Sequence, residues 1–141
     1  MAYSTETDIL DQLDEDILIQ LTDDADTGEV DDDKVSRAIA DADAEIDSYC
    51  GVRHTVPFST VPAVILKLSV DIAIYNLYAR RKGAPEDRKT RYDNAIRFLK
   101  DVAKGLATLG GDDPDGTPPE SHKPDIDQAD RIFTRDKMKG F

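Results

Sequence analysis

The sequence predicts an all-α fold, a small helical bundle around a central buried helix, with a flexible C-terminal tail. Two observations carry the prediction. Three long stretches repeat their apolar residues at the spacing of an α-helix, and each is bounded by residues that start or stop helices. A third sets the scale: 141 residues suffice for one domain with a modest core. With four Phe, five Tyr and no Trp, Leu, Ile, Val and Ala must fill most of it.

The first 21 residues read as two short helical pieces. Thr5 and Asp8 have capping spacing ahead of Ile9, Leu10 and Leu13; Asp14 or Asp16 then starts a piece carrying Ile17, Leu18 and Leu21. The alternation of Ile17, Ile19 and Leu21 also fits a strand, and helix is the reading adopted. Residues 22–33 form an acidic loop. As a calcium loop with Gly28 sixth, it would place Ala25, Thr27 and Lys34 where carboxylates are required, so the expectation is a solvated loop whose last aspartates cap the next helix. From Asp32 to Tyr49 a helix is predicted, with Val35, Ile39, Ala42, Ile46 and Tyr49 on one stripe and Asp41, Asp43, Glu45 and Asp47 flanking it. Its small Ala38, Ala42 and Ala44 permit close approach of a neighbour. Cys50 ends it and Gly51 is the expected C-cap.

Residues 51–60 are the bend before the central helix. Val56-Pro57-Phe58 should be extended, because a residue before proline avoids the helical region, and Phe58 should plug the bundle's end. Arg53 and His54 could face an anion, but no glycine-rich phosphate cradle accompanies them. The central helix follows over 62–81, with Ser59 or Thr60 as N-cap and Pro62 in the first turn. Its stripe is Val61, Ile65, Leu68, Ile72, Tyr75 and Ala79, widened by Val64, Leu66, Ile74, Leu77 and Tyr78. Such a helix needs cover from at least two others. Lys67 and Asp71 interrupt a run already too short to span a membrane. Asp71 has two readings: solvated beside Lys67, the commoner case, or a buried or interfacial carboxylate held by an arginine of another helix or subunit. A catalytic carboxylate would lack a partner base or nucleophile. Arg80, Arg81 and Lys82 suit the helix dipole.

Pro85 opens the last long helix, 86–105. Tyr92, Ala95, Ile96, Leu99, Val102 and Leu106 are its expected core face, and Arg88, Lys89, Arg91, Arg97, Lys100 and Lys104 its basic face. The predicted organisation is a helical domain at 1–109, a flexible Pro/Gly/Asp linker at 110–125, and a basic-apolar docking tail at 126–141. The core rests on Ile39, Ile46, Ile65, Leu68, Ile72, Tyr75, Tyr92 and Leu99; docking by the tail rests on Arg131, Ile132, Phe133, Arg135 and Phe141.

Charge and chemistry narrow the function. The net charge is −12, but residues 1–50 hold 17 acidic and 2 basic side chains, and residues 51–141 hold 13 acidic and 16 basic. That polarity suits head-to-side packing of identical subunits and argues against general duplex DNA binding. The expected interface residues are Asp41, Asp43, Glu45, Asp47 and Asp71 facing Arg88, Arg91, Arg97 and Lys100. A single cysteine excludes an intrachain disulfide and a multi-cysteine metal site. Cys50 reads as a small buried hydrophobe, since His54 comes without a third orienting group. His122 has only Asp112, Asp113 and Glu120 as loose company. No catalytic, metal or cofactor constellation emerges, so an enzyme is not expected. The N-terminus carries neither a basic region nor an apolar run, so a protein that is cytosolic or assembled from the cytosol is expected.

Three stretches stand out in order and spacing: Tyr3-Ser4-Thr5 leading to Asp8-Ile9-Leu10; Ala42 to Tyr49 with Val52-Arg53-His54, Val56-Pro57-Phe58, Val61-Pro62 and Asp71 to Tyr78; and Arg91 to Ala95 with Leu99 and Lys104-Gly105. Together they resemble the Mu-like phage proteins that join head to tail. Arg131 to Asp136 resembles the family's ending. Cys50 stands where these proteins usually carry an aliphatic residue, and His54 where tyrosine is common. The resemblance implies a non-enzymatic virion protein of the host cytoplasm during assembly and then of the head–tail junction. It implies a ring of identical subunits between portal and tail-side proteins, with DNA passing through without sequence-specific binding and no membrane partner. The other reading is an acidic helical protein-binding module or regulator.

Overall fold

The computed structural model describes residues 1–110; the predicted linker beyond Gly110 and the docking tail, with Arg131, Ile132, Phe133, Arg135 and Phe141, lie outside the described residues. Five helices occur in order: α1 (Glu6–Leu10), α2 (Glu15–Thr22), α3 (Asp32–Cys50), α4 (Ala63–Arg81) and α5 (Glu86–Lys104). No strand occurs among the described residues, and the Ile17–Leu21 stretch is helical. Thr5 and Asp8 form the reciprocal capping box of α1, and the Asp31 side chain accepts from the Lys34 N–H to cap α3.

The central helix starts at Ala63, one residue later than the expected 62, whereas the last long helix starts at Glu86 as expected. Pro62 and Pro85 are themselves the N-caps, with ψ of 146° and 155°, and neither Ser59 nor Thr60 caps α4. Pro62 itself keeps an extended ψ, so helical geometry begins only at Ala63. The Pro62 carbonyl accepts from Ile65 and Leu66, opening the hydrogen-bond ladder of α4 without a side-chain cap. Gly51 does cap α3, but with right-handed backbone (φ −59°), and the chain turns on through bonds from Arg53 and His54 to the Cys50 carbonyl.

α4 is the centre of the bundle. It touches all four other helices, most extensively α3 and then α5. Nine of its 19 residues are buried, including Ile65, Leu68, Ile72, Ile74 and Leu77. Leu66 remains 38% exposed next to exposed Lys67, and the last residues, Ala79 to Arg81, are exposed as well. Ala38 and Ala42 of α3 are buried with Ile39 and Ile46, so the longest seam is closed by small residues set among large ones. Leu99 is buried, whereas Tyr75 and Tyr92 are half-buried and stack on each other with centroids 4.0 Å apart. Leu106 is not core: it is 75% exposed. Gly105 adopts φ +77° and turns the chain off the α5 stripe, and Leu109 is buried instead. A side chain at Gly105 would also meet Arg53, whose Nη1 lies 2.5 Å from where a Cβ would sit. Phe58 covers one end of the bundle, half-buried against Tyr3 and His54, after a cis Val56–Pro57 bond.

Candidate assembly interface

The acidic flank of α3 is partly spent inside the chain. Asp43 accepts the Tyr3 N–H at 2.9 Å and the Ser69 hydroxyl at 2.7 Å, and the hydroxyls of Ser4 and Ser69 share a bond of 2.8 Å. The Tyr3 hydroxyl donates to Asp47 and accepts the Phe58 N–H. This network straps the N-terminus across α3 and α4. Burial pushes the Asp43 carboxyl up, against the bonds from Tyr3 and Ser69 that favour its charged form. Burial and then the bond to Asp47 push the Tyr3 phenol well above its ordinary range. Glu45 accepts from the Tyr92 hydroxyl at 2.9 Å, tying α3 to α5. Asp41 is the fully solvated member of the four.

Asp71 is buried, 7% exposed, and does not sit in solvent beside Lys67. Its position on the covered side of α4 turns it toward α5, where Arg91 Nη1 lies 3.8 Å from Oδ1. That distance is an ion pair without a hydrogen bond, and Oδ1 has no hydrogen-bond partner among the described residues. Arg91 also donates to the Gln12 side chain at 3.1 Å, and Arg88 donates to the Gln12 carbonyl at 2.8 Å. Two of the four basic residues expected to face a neighbour therefore hold the turn between α1 and α2. Arg97 and Lys100 are exposed and make no ion pair among the described residues.

The acidic loop is also tied down. Arg80 makes two bonds of 2.9 Å to the Asp24 carboxylate, Arg81 approaches it at 3.1 Å and Lys34 at 3.2 Å. Arg80 first, and then Lys34, hold the Asp24 carboxyl well below the usual carboxylate range. Asp23 folds the loop by accepting the Thr27 and Gly28 N–H groups, so its carboxylate serves the turn. Among the described residues no cluster of His, Cys, Asp and Glu could hold a metal, and no helix is long and apolar enough to cross a membrane. Cys50 is wholly buried, and burial pushes its thiol up to about 12.

Sequence reasoning missed Tyr3, Gln12, Asp24 and Ser69 as structural partners. Ser69 was detectable as a small hydroxyl in the middle of a buried helix, which needs a partner. Gln12 carried no such signal, because its role comes from where α5 lies. Open grooves border α3 among the described residues. One, of about 540 Å³, runs between the N-terminal segment and α3; another, of about 500 Å³, lies between α3 and α4 and includes Arg37, Asp41 and Asn76.

These features define a small, acidic, all-α protein with charged grooves on its surface. The chain belongs to the bacteriophage Mu Gp36 family, whose model matches residues 3–128. It is 38% identical over 112 residues to the Mu-like prophage FluMu protein gp36 of Haemophilus influenzae, covering 79% of this chain and 78% of that protein. It is 30% identical over 115 residues to gene product J of Escherichia phage Mu, covering 81% and 79%.

Proposed function

We propose that the protein is a structural virion-assembly component, a ring-forming head–tail connector or head-completion adaptor between portal and tail. Membership of a Mu phage family carries the reading, and the distribution of charge supports it. Once the internal pairs are removed, Asp41 on α3 and Arg97 and Lys100 on α5 remain as exposed, opposite charges on one small chain. Repeated around a ring, the acidic side of one copy meets the basic side of the next. The protein's partners are then further copies of itself, the portal and tail-side proteins, with DNA in the central passage and no catalysis or membrane contact. It acts in the host cytoplasm during assembly and at the head–tail junction of the virion.

The test is reconstitution of cognate portal-bearing, tail-less heads with wild type and with an Arg97→Glu/Lys100→Glu double variant. Electron microscopy should show a ring under the portal for wild type, with tails joining, and loss of both for the variant. Failure of wild type to bind heads would reject the connector reading. Normal joining by the variant would reject the charged contact alone. A binding module that presents its acidic loop to a basic partner is less favoured, because Asp24 is already held by Arg80, Arg81 and Lys34 within the chain.

A further inference from the structure

The groove beside the N-terminal segment has an uncommon combination of linings. Ile39, Ala40 and Ala44 give it an apolar wall, and Glu6, Asp43 and Asp47 give it carboxylates. Asp43 and Asp47 accept hydrogen bonds from Tyr3 and Ser69, and Met1 brings the N-terminal ammonium to the groove, but among the described residues no lysine or arginine pairs with any of the three carboxylates. Glu6 is crowded further by Asp32 at the start of α3; burial and then this neighbouring carboxylate push the Glu6 carboxyl up. A groove of this kind favours an occupant that brings both apolar side chains and cations.

The chain contains such a segment. Of the residues after Gly110, 111–128 carry six acidic side chains and one lysine, so this stretch is repelled by the groove. Residues 129–141 reverse the balance, with Arg131, Arg135, Lys137 and Lys139 against Asp130 and Asp136, and they add Ile132, Phe133, Met138 and Phe141. Reach is not limiting. Twenty intervening residues can extend to about 65–70 Å, whereas a 19-residue helix is only about 28 Å long.

We infer that the 131–141 segment of this chain seats in the groove between the N-terminal segment and α3, apolar side chains inward and Arg131 and Arg135 against its carboxylates. The seat does not require a ring, because a chain can fill its own groove or its neighbour's.

The experiment uses the full-length chain with Phe133 replaced by the photoreactive p-benzoylphenylalanine. After illumination, mass spectrometry maps the adducts. The inference expects them to concentrate in residues 36–47, and to fall several-fold when Arg131→Glu/Arg135→Glu is added, with thermal unfolding unchanged. Mixing isotope-labelled and unlabelled chains assigns each adduct to the same or a neighbouring copy, and either assignment keeps the seat. Adducts absent from 36–47, or groove adducts indifferent to the charge reversal, would overturn it. Ring formation on heads is read separately, so failure of one does not imply failure of the other.

Discussion

α4 and α5 are both 19 residues long, yet they are held in different ways. α4 buries nine residues and is covered by four helices; α5 buries three, Ala95, Leu99 and Val102. The first half of α5 is attached through polar contacts instead: Arg88 and Arg91 on Gln12, Arg91 near Asp71, and Tyr92 on Glu45. Apolar burial is non-directional and large, whereas exposed ion pairs contribute little each and are screened by salt. The lesson is that α3 and α4 carry most of the apolar burial, while α5 leaves a basic face with Arg97 and Lys100 exposed.

The largest effect that sharpens this contrast is in α4. Ile72→Ala should cost about 2–5 kcal/mol in urea denaturation, because the side chain is wholly buried. Arg97→Ala on α5 should stay within about 0.5 kcal/mol, as expected of an exposed position. Equal losses at the two positions would erase the distinction.

A second pair compares two carboxylates, half-buried Asp43 and buried Asp71. Asp43→Ala leaves the Tyr3 N–H and the Ser69 hydroxyl without their acceptor and should cost about 1–3 kcal/mol. Asp71→Asn should change stability by less than about 1 kcal/mol, because its partner Arg91 is half-exposed and 3.8 Å away. Chemical denaturation of both variants would decide it, and a larger loss at Asp71 would place the main polar anchor on α5.

Alkaline pH gives a smaller, graded signal. Burial first raises both Cys50 and Tyr92 to about 12, with the Glu45 bond adding to Tyr92. Unfolded chains release these protons near their ordinary values of about 8.5 and 10, while the folded chain keeps them, so the unfolded state binds fewer protons there. Stability from these groups is therefore complete below those values and lost as pH rises toward 12. The melting temperature should fall steadily from pH 9 upward, and less steeply in Tyr92→Phe. A flat profile would mean that neither group is held neutral by the fold.

The all-α architecture was legible because periodicity and caps repeat within each segment, as with Ile65, Leu68 and Ile72 or Thr5 and Asp8. The start of α4 slipped by one residue because Pro62 takes the N-cap position and not the first helical one, whereas the start of α5 at Glu86 was legible. Asp71 was less legible: a lone acid on a broad apolar helix fits either solvent or an arginine, and only the position of α5 decides. The internal use of Arg88 and Arg91 was hidden for the same reason, since Gln12 lies 76 and 79 residues away in the chain. Arg97 and Lys100, by contrast, follow from the helix pattern alone.

The most direct test of the division between α3 and α4 on one side and α5 on the other is hydrogen exchange, measured on the free chain and on the chain bound to portal-bearing heads. The account predicts that α3 and α4 amides exchange slowest in both states. It predicts that α5 amides around residues 93–100 exchange faster in the free chain and slow markedly on binding. Exchange in α5 as slow as in α4 in the free chain, and unchanged on the heads, would contradict it.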